Sequence, residues 1–245
     1  MTWRAADLHI HSALSPCAAK EMTPRRIVAQ AARRGLGVIA LCDHNSAANV
    51  RALQEVAQGL VLVVAGMEIM TREEAHIVGL FPDAERAEAA ARSVRDTLPL
   101  LKKLPSVYEE QQLLMDAQDR VIGQEERMLG AASALDLDET VRLIHSHGGL
   151  AVAAHVDRPS FSVVSQLGFF PEPNDFDAIE VTPIGLRAGR ERKFRDSGLP
   201  IIVSSDSHYL DNIGQGFTEL DMNALDFESF AFALKGPESG RRPRA

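Results

Sequence analysis

The stretch Asp7-Leu8-His9-Ile10-His11-Ser12 sets an apolar alternation against two histidines two residues apart. Alternate residues of a strand share a face, so a strand ending here turns both imidazoles the same way and lets them grip one ion. A second stretch, Ser205-Asp206-Ser207-His208, repeats that spacing near the other end of the chain. Between them, short apolar runs alternate with helical patterns. The expected strands are Ala6–His11, Val38–Asp43, Leu60–Ile69, His76–Phe81, Leu150–His155, Ala178–Thr182 and Ile201–Ser205. Most are almost continuously apolar, as expected of a parallel sheet covered on its outer face by helices.

Helical segments fit the gaps. Thr23-Pro24 reads as an N-cap followed by proline in the first turn, opening a helix that carries Ile27, Val28, Ala31 and Ala32 and ends near Gly35. Asp136 or Asp138 caps another, through Val141, Leu143 and Ile144 to Gly148-Gly149. Ala84 to Arg95, Arg187 to Ser197 and Phe227 to Leu234 also read as helical. Strand–helix alternation of this kind predicts a βα-repeat fold, a barrel or an open sheet. Residues 82–137 read as an insertion overhanging the site, broken by Pro99 and Pro105, with a hairpin of Leu113–Asp116 and Arg120–Gly123 around Ala117–Asp119. Residues 1–236 are expected to form one domain, and 237–245 a flexible, frayed tail.

Composition narrows the function classes. The chain has 245 residues, 45% of them hydrophobic, and a formal net charge of -8. A general nucleic-acid binder usually carries a basic face, so the charge favours a small substrate over duplex DNA, although bound divalent ions add positive charge locally. Tyr and Trp number two and one, which argues against broad stacking platforms for single strands. Two cysteines do not make a disulfide framework. No stretch approaches the roughly 20 apolar residues of a membrane span, and no signal-peptide pattern opens the chain. The expectation is a cytoplasmic protein without a membrane partner.

Six of the eight histidines fall at strand ends. His9 and His11 end the first expected strand, and His44 follows the second. Glu68 lies near the end of the third, His76 begins the fourth and His155 ends the fifth; Asp206 and His208 follow the last. In a parallel barrel the carboxyl ends of the strands converge on one mouth. Imidazole with carboxylate suits Zn, Fe or Mn, and a carboxylate such as Glu68 can bridge two ions, which would clamp a phosphate oxygen and hold a hydroxide. A single histidine pair on a strand is weak evidence, since a lone buried histidine is more often a hydrogen-bonded core residue. Recurrence at successive strand ends is much stronger. His145 and His147 share the spacing but lie in the last turn of an expected helix, where residues two apart diverge; they are expected to be structural or solvent-facing.

These motifs resemble those of the PHP (polymerase and histidinol phosphatase) family. Asp7 to Ser12 resembles its first motif, and Leu41-Cys42-Asp43-His44-Asn45 its second. Gly66-Met67-Glu68-Ile69 with His76-Ile77-Val78-Gly79 resembles the third, Ala153-Ala154-His155 the fourth and Ser205 to His208 the last. The resemblance implies a distorted (β/α)7 TIM-like barrel with two or three divalent metal ions (Zn, Mn or Fe) at its C-terminal mouth. It implies that His9, His11, Glu68 and Asp206 hold one ion, Glu68, His76 and His155 a second, and His44 with His208 a third. The chain departs from the family in Ser15-Pro16-Cys17, where relatives often place Asp or His. Cys17 is then either a thiolate ligand, favouring softer ions, or a plain loop residue. Arg158, three residues past His155, is a phosphate-binding guanidinium or a solvated loop residue. Asp43 is an orienting carboxylate or a simple loop acid.

The activity implied is hydrolysis of a phosphomonoester or phosphodiester, of a small nucleotide or similar phosphate, by a metal-bridging hydroxide; nucleoside monophosphates, short oligonucleotides, cyclic nucleotide products and histidinol phosphate are the candidate substrates. A metal-dependent amidohydrolase and a non-catalytic binding module are the alternatives. The first usually needs a strand-end lysine, which is absent from the expected strands. The second would be expected to have lost its ligands, and eight of the nine expected positions keep typical ones.

Overall fold

The computed structural model describes residues 2–101, 112–171, 176–237 and 240–245. Residues 102–111 of the expected insertion, Pro105 among them, and 238–239 of the expected tail lie outside the described residues.

Nine strands make one sheet: β1 (Trp3–Ile10), β2 (Val38–Leu41), β3 (Leu62–Met70), β4 (His76–Phe81), β7 (Leu150–Ala153), β8 (Ala178–Val181), β9 (Ile201–Val203), β10 (Phe217–Asp221) and β11 (Arg241–Arg244). A separate hairpin pairs β5 (Leu113–Met115) with β6 (Val121–Gln124). The sheet order is β11-β10-β1-β2-β3-β4-β7-β8-β9. Its two ends curl toward each other. Val203 N–H donates to Thr218 Oγ1 at 2.9 Å and the Thr218 hydroxyl donates to the Val203 carbonyl at 3.0 Å, joining β9 to β10. At the rim, His11 N–H donates to Ser207 O at 2.9 Å and Ser207 N–H to His9 O at 3.2 Å. The fold is therefore α/β, with a nearly closed, barrel-shaped sheet.

All seven expected core strands form, but the sheet is mixed rather than parallel. β4 runs antiparallel to both β3 and β7. Only Thr71 to Ala75 separate β3 from β4, enough for a hairpin and too few for the crossover a parallel pair needs. This reversal leaves β1, β2, β3, β7, β8 and β9 pointing one way and turns the start of β4 to their common carboxyl rim. His76 thus reaches the same mouth as the other strand-end residues.

The two sheet faces are sorted by alternation. The inner face carries Leu8, Val38, Ala40, Val64, Val78 and Val152, joined by Phe230, Ala233 and Leu234 of α7 (Phe227–Lys235). The outer face carries Ile39, Leu41, Val63, Ala65, Met67 and Ile77. It is covered by α1 (Pro24–Arg33), α2 (Val50–Ala57), α3 (Ala84–Arg95) and α4 (Leu137–Ser146) through Ile27, Leu53, Ala87 and Ile144. Two short helices, α5 (Val163–Leu167) and α6 (Pro183–Arg187), follow β7 and β8.

Three further expectations change. Thr23 is the N-cap of α1, but its side chain does not cap the helix. Asp119 of the hairpin turn does so instead, accepting from Arg25 N–H at 2.9 Å and from the Thr23 hydroxyl at 2.8 Å. The charged helix expected over Arg187–Ser197 is broken at Gly189, which takes φ +70°; α6 precedes it and a 3-10 stretch, Arg190–Ser197, follows. The expected frayed tail instead contributes β11, which pairs antiparallel with β10 from Leu220↔Arg241 to Phe217↔Arg244. Arg242 lies over the Trp3 ring, 3.8 Å from its centroid, and Arg244 bonds Glu219 at 2.7 Å. These cross-strand contacts replace the apolar period that residues 241–244 lack. Of the two candidate caps for α4, Asp136 is the one used, in a capping box with Glu139.

The described parts of the insertion are tied to the mouth. Leu113 N–H donates to Ala13 O, and Asn49 bonds Leu113 O at 3.0 Å and Met115 N at 2.9 Å. Asn45 reaches the Leu129 and Ala131 carbonyls at 2.8 and 2.9 Å. No helix among the described residues is long and apolar enough to cross a membrane.

Phe230 is fully buried in the inner layer. Phe230→Ala should therefore lower unfolding free energy by about 3–5 kcal/mol, read as a reduced midpoint in urea titration with the slope unchanged.

Candidate metal centre

The barrel rim gathers the site from segments far apart in sequence. On β1, Asp7 and Ile10 stand opposite Ile39 and Leu41, so one extra residue is accommodated in a bulge. A bulge re-aims the side chains beside it. Leu8 still faces the inner layer, and His9 and His11 both turn to the mouth. Their Nε2 atoms stand 3.2 Å apart. Asp206, carried in by the rim pairing with β1, places Oδ1 3.1 Å from His11 Nε2 and 3.6 Å from His9 Nε2.

Glu68 is the hub. On β3, 1% exposed, its carboxylate is approached by five imidazoles. Nδ1 of His76 lies 2.7 Å away, Nδ1 of His44 2.9 Å, Nε2 of His155 3.1 Å, Nε2 of His9 3.4 Å and Nε2 of His11 3.6 Å. His76 is the diagonal cross-strand neighbour of Glu68 in the β3–β4 hairpin. Cys17 occupies the outer corner, its Sγ 3.2 Å from His44 Nε2 and 3.0 Å from His208 Nε2. His44 thus faces Glu68 with one ring nitrogen and Cys17 with the other.

His11 with Asp206 and His155 with Glu68, both at 3.1 Å, meet in hydrogen-bonding geometry, but other close approaches do not. His44 Nδ1, Glu68 Oε2, both ring nitrogens of His76 and His155 Nδ1 are buried without a partner in hydrogen-bonding geometry, short as several of these distances are. Buried polar atoms are rarely left unsatisfied. Donor atoms that crowd together with their lone pairs converging between them fit a shared cation. Among the described residues, three groups have ligand atoms lying within 4.8 Å of one another: His9, His11 and Asp206; His44, Glu68 and His76; and His11, His44 and His208. The donors are imidazoles and carboxylates, the set suited to Zn, Fe or Mn.

Charge states follow from the crowding. Burial pushes the Glu68 carboxyl up, but His76, His9 and His44 outweigh it and hold the group well below the usual range. Asp206 is held down likewise, burial being overcome by His9 and His11. Burial, reinforced by His208 and His44, keeps His11 well below its usual value. Burial also lowers His76. Burial raises the Cys17 thiol, yet hydrogen bonds from His208 and His44 bring it down to about 7. Three imidazoles move the other way: burial pushes His9, His44 and His208 down, but Glu180, Glu68 and Asp206 for His9, Glu68 and Cys17 for His44, and Cys17 and Asp206 for His208 outweigh it and raise them. Metal binding at these rings would release their protons, since ionised carboxylates, neutral imidazoles and thiolates are the forms that ligate metal.

A second layer of groups orients these side chains. Sequence reading missed its central member, Glu180 of β8, an acid in the otherwise apolar Ala178–Val181 and 2% exposed. His9 Nδ1–H donates to the Glu180 carboxylate, 3.1 and 3.3 Å from its two oxygens, which leaves Nε2 free for the mouth. Glu180 also accepts from His155 N–H at 3.2 Å. The available signal was a lone carboxylate within a buried strand, which demands a partner. Asp43 is buried beneath the site and touches no imidazole through its side-chain hydrogen bonds. It accepts from Ser12 N–H and from the Ser12 and Ser15 hydroxyls at 2.6 to 2.7 Å. The Ser15 oxygen lies 2.9 Å from His11 Nδ1. Asp43 is thus linked to His11 through Ser15, an arrangement that fits an orienting carboxylate. Arg158 is at the mouth, 40% exposed, with Nη2 2.6 Å from Asp206 Oδ2. His145 and His147 stand apart, bonded to Asp177 and to the Leu143 carbonyl, both at 2.9 Å.

Strain concentrates at the same rim. Asn45, His155, Phe161 and Asp206 all take positive φ without being glycine, a conformation that costs free energy and persists only where neighbours enforce it.

The family model described as PHP domain matches residues 7–168, and one described as PHP-associated matches residues 191–236. The chain belongs to the PHP domain family. It is 27% identical over 250 residues to the Uncharacterized protein YqxK of Bacillus subtilis (strain 168), covering 95% of this chain and 62% of that protein. It is 27% identical over 188 residues to a 5'-3' exoribonuclease of Haemophilus influenzae, covering 61% of this chain and 68% of that one. Among solved structures, the lesion-specific endonuclease EndoQ of Pyrococcus furiosus superposes with a TM-score of 0.67 at 18% identity, over 99% of this chain and 58% of that one. The chain therefore spans less than two thirds of the Bacillus protein and of the endonuclease.

Glu180→Gln keeps the shape but removes the charge facing His9. Metal affinity should fall about 10–100-fold by competition against a chromogenic chelator. His145→Ala with His147→Ala should leave it unchanged.

Proposed function

We propose that this chain is a metal-dependent phosphoesterase acting on a phosphomonoester or phosphodiester of a nucleotide or short oligonucleotide. The observation that carries the reading is the Glu68 hub, a buried carboxylate among five imidazoles with donor atoms left unpaired around it. His9, His11, Glu68 and Asp206 would hold one ion, Glu68 with His76 and His155 a second, and His44, His208 and Cys17 a third, drawn from Zn, Mn or Fe. Bound divalent ions supply a strong nucleophile from water at neutral pH and offset charge on the phosphoryl oxygens.

The chain's own residues do the rest. Glu180 and the Asp43–Ser15 pair fix the rings of His9 and His11 before substrate arrives, so little reorganisation is left to the reaction. Arg158 offers a planar fork at the mouth, suited to two oxygens of one phosphate, and Asp206 holds it in place. No serine or cysteine nucleophile is needed. Cys42, the other free thiol, is fully buried, its thiol pushed up by burial, and it donates to the Leu8 carbonyl at 3.4 Å. Among the described residues, none of the strands contains a lysine, which weighs against an amidohydrolase built on a carboxylated lysine. The Haemophilus relative is named as an exoribonuclease, and an EndoQ complex contains duplex DNA with an abasic lesion at its active site. Both support a nucleotide-derived substrate.

Protein purified without chelator should carry two to three ions by mass spectrometry and hydrolyse an aryl phosphate, an aryl phosphodiester or AMP. His9→Ala and Glu68→Ala should lose metal and hydrolysis together. A metal-loaded protein that cleaves none of the three would defeat the proposal. For the outer corner, cobalt-substituted protein should show a sulfur-to-metal charge-transfer band that Cys17→Ser abolishes; its absence from the parent protein would leave Cys17 a loop residue.

A further inference from the structure

Loop 154–162, between β7 and α5, carries Arg158 and, three residues on, Phe161. In a chain only 5% aromatic, Phe161 is 41% exposed beside a polar mouth. It lies nearly parallel to the His76 imidazole, centroids 5.1 Å apart and planes at 16°. Its backbone is held at φ +56°, a region disfavoured for a bulky residue. The means of holding it are clear. His76 N–H donates to the Phe161 carbonyl at 2.9 Å. Gln166, with its amide turned so that the oxygen accepts, takes the Phe161 N–H at 3.1 Å and donates to Glu73 O at 3.2 Å. Ser162 forms a capping box with Ser165, and its hydroxyl donates to the Arg158 carbonyl at 2.9 Å. A ring serving only as cover for His76 would gain by sinking further. This one is locked with part of its surface open to solvent, on the loop that bears the guanidinium.

We propose that Phe161 is a stacking platform for the base of a nucleotide whose phosphate Arg158 helps to hold, and so determines preference for nucleoside phosphates over alkyl phosphates. The inference rests on the phosphoesterase reading for the identity of the phosphate site. One face of the ring is taken by His76, and exposed ring surface remains for a planar partner. Every base has a π-face, so such a contact selects for a base without selecting which one. A single ring serves one base, which suits a terminal nucleotide or mononucleotide and is consistent with the scarcity of Tyr and Trp.

The test uses metal-loaded protein, with metal content measured in every variant. Binding of AMP and of glycerol 2-phosphate is followed by calorimetry, alongside hydrolysis of both. Phe161→Ala should weaken AMP binding about 5–100-fold, as expected for loss of one base–aromatic stack. Glycerol 2-phosphate binding and metal content should stay at the parent values, and Phe161→Trp should keep AMP affinity. Equal weakening of both ligands, or loss of metal, would make Phe161 a mere support for His76 and overturn the proposal. So would unchanged AMP binding, or failure of the parent protein to bind AMP. Phe161-dependent AMP binding without hydrolysis of either compound would keep the platform and defeat the phosphoesterase reading instead.

Discussion

A carboxylate buried to 1% exposure is what the rest of this molecule is arranged around. An ionised acid without partners in such a place is prohibitively costly. Glu68 is tolerated because five imidazoles from four separate segments of the rim close on it within 3.6 Å. Those imidazoles are buried in turn and require orienting groups of their own. Glu180 serves His9, and Asp43 serves His11 through Ser15. The polar cluster grows inward to the strand carrying Glu180 and outward to Cys17 and Arg158. The apolar inner layer begins on the neighbouring positions of the same strands, with Leu8 next to His9 and Met67 next to Glu68 facing opposite layers. The barrel is thus an apolar barrel with one polar end.

Much of this was legible in the chain. The seven apolar runs were, because strands buried on both faces leave continuous apolar text. The ligand-type residues were, because they stop those runs at one end. His145 and His147 were correctly set aside, because helical geometry separates residues two apart. The illegible parts share a cause, which is dependence on partners distant in sequence. β4 reads the same whether it runs parallel or antiparallel; only the shortness of Thr71–Ala75 hints at reversal. Arg241–Arg244 has no apolar period, and its order depends on Trp3 and Glu219. Helix α1 borrows its cap from Asp119, ninety-odd positions away. Glu180 sits in a strand whose location was clear, yet its role appears only once His9 is seen opposite.

The β3–β4 hairpin and the closure of the rim have very different demands on the folding chain. Glu68 and His76 are eight residues apart and meet as soon as one short turn forms, whereas His11 and Asp206, 195 positions apart, meet only when nearly the whole chain has been gathered. Local pairs of this kind are cheap to assemble, and distant ones must first bear a large loop-closure entropy. The rim therefore behaves like a clasp whose two halves mature at different times. An ion binding there would bridge the first strand and the segment after the last core strand, rewarding the slowest step of assembly. Occupancy of the site would then be a form of quality control, since a chain that has not brought its ends together has nowhere complete to put a metal.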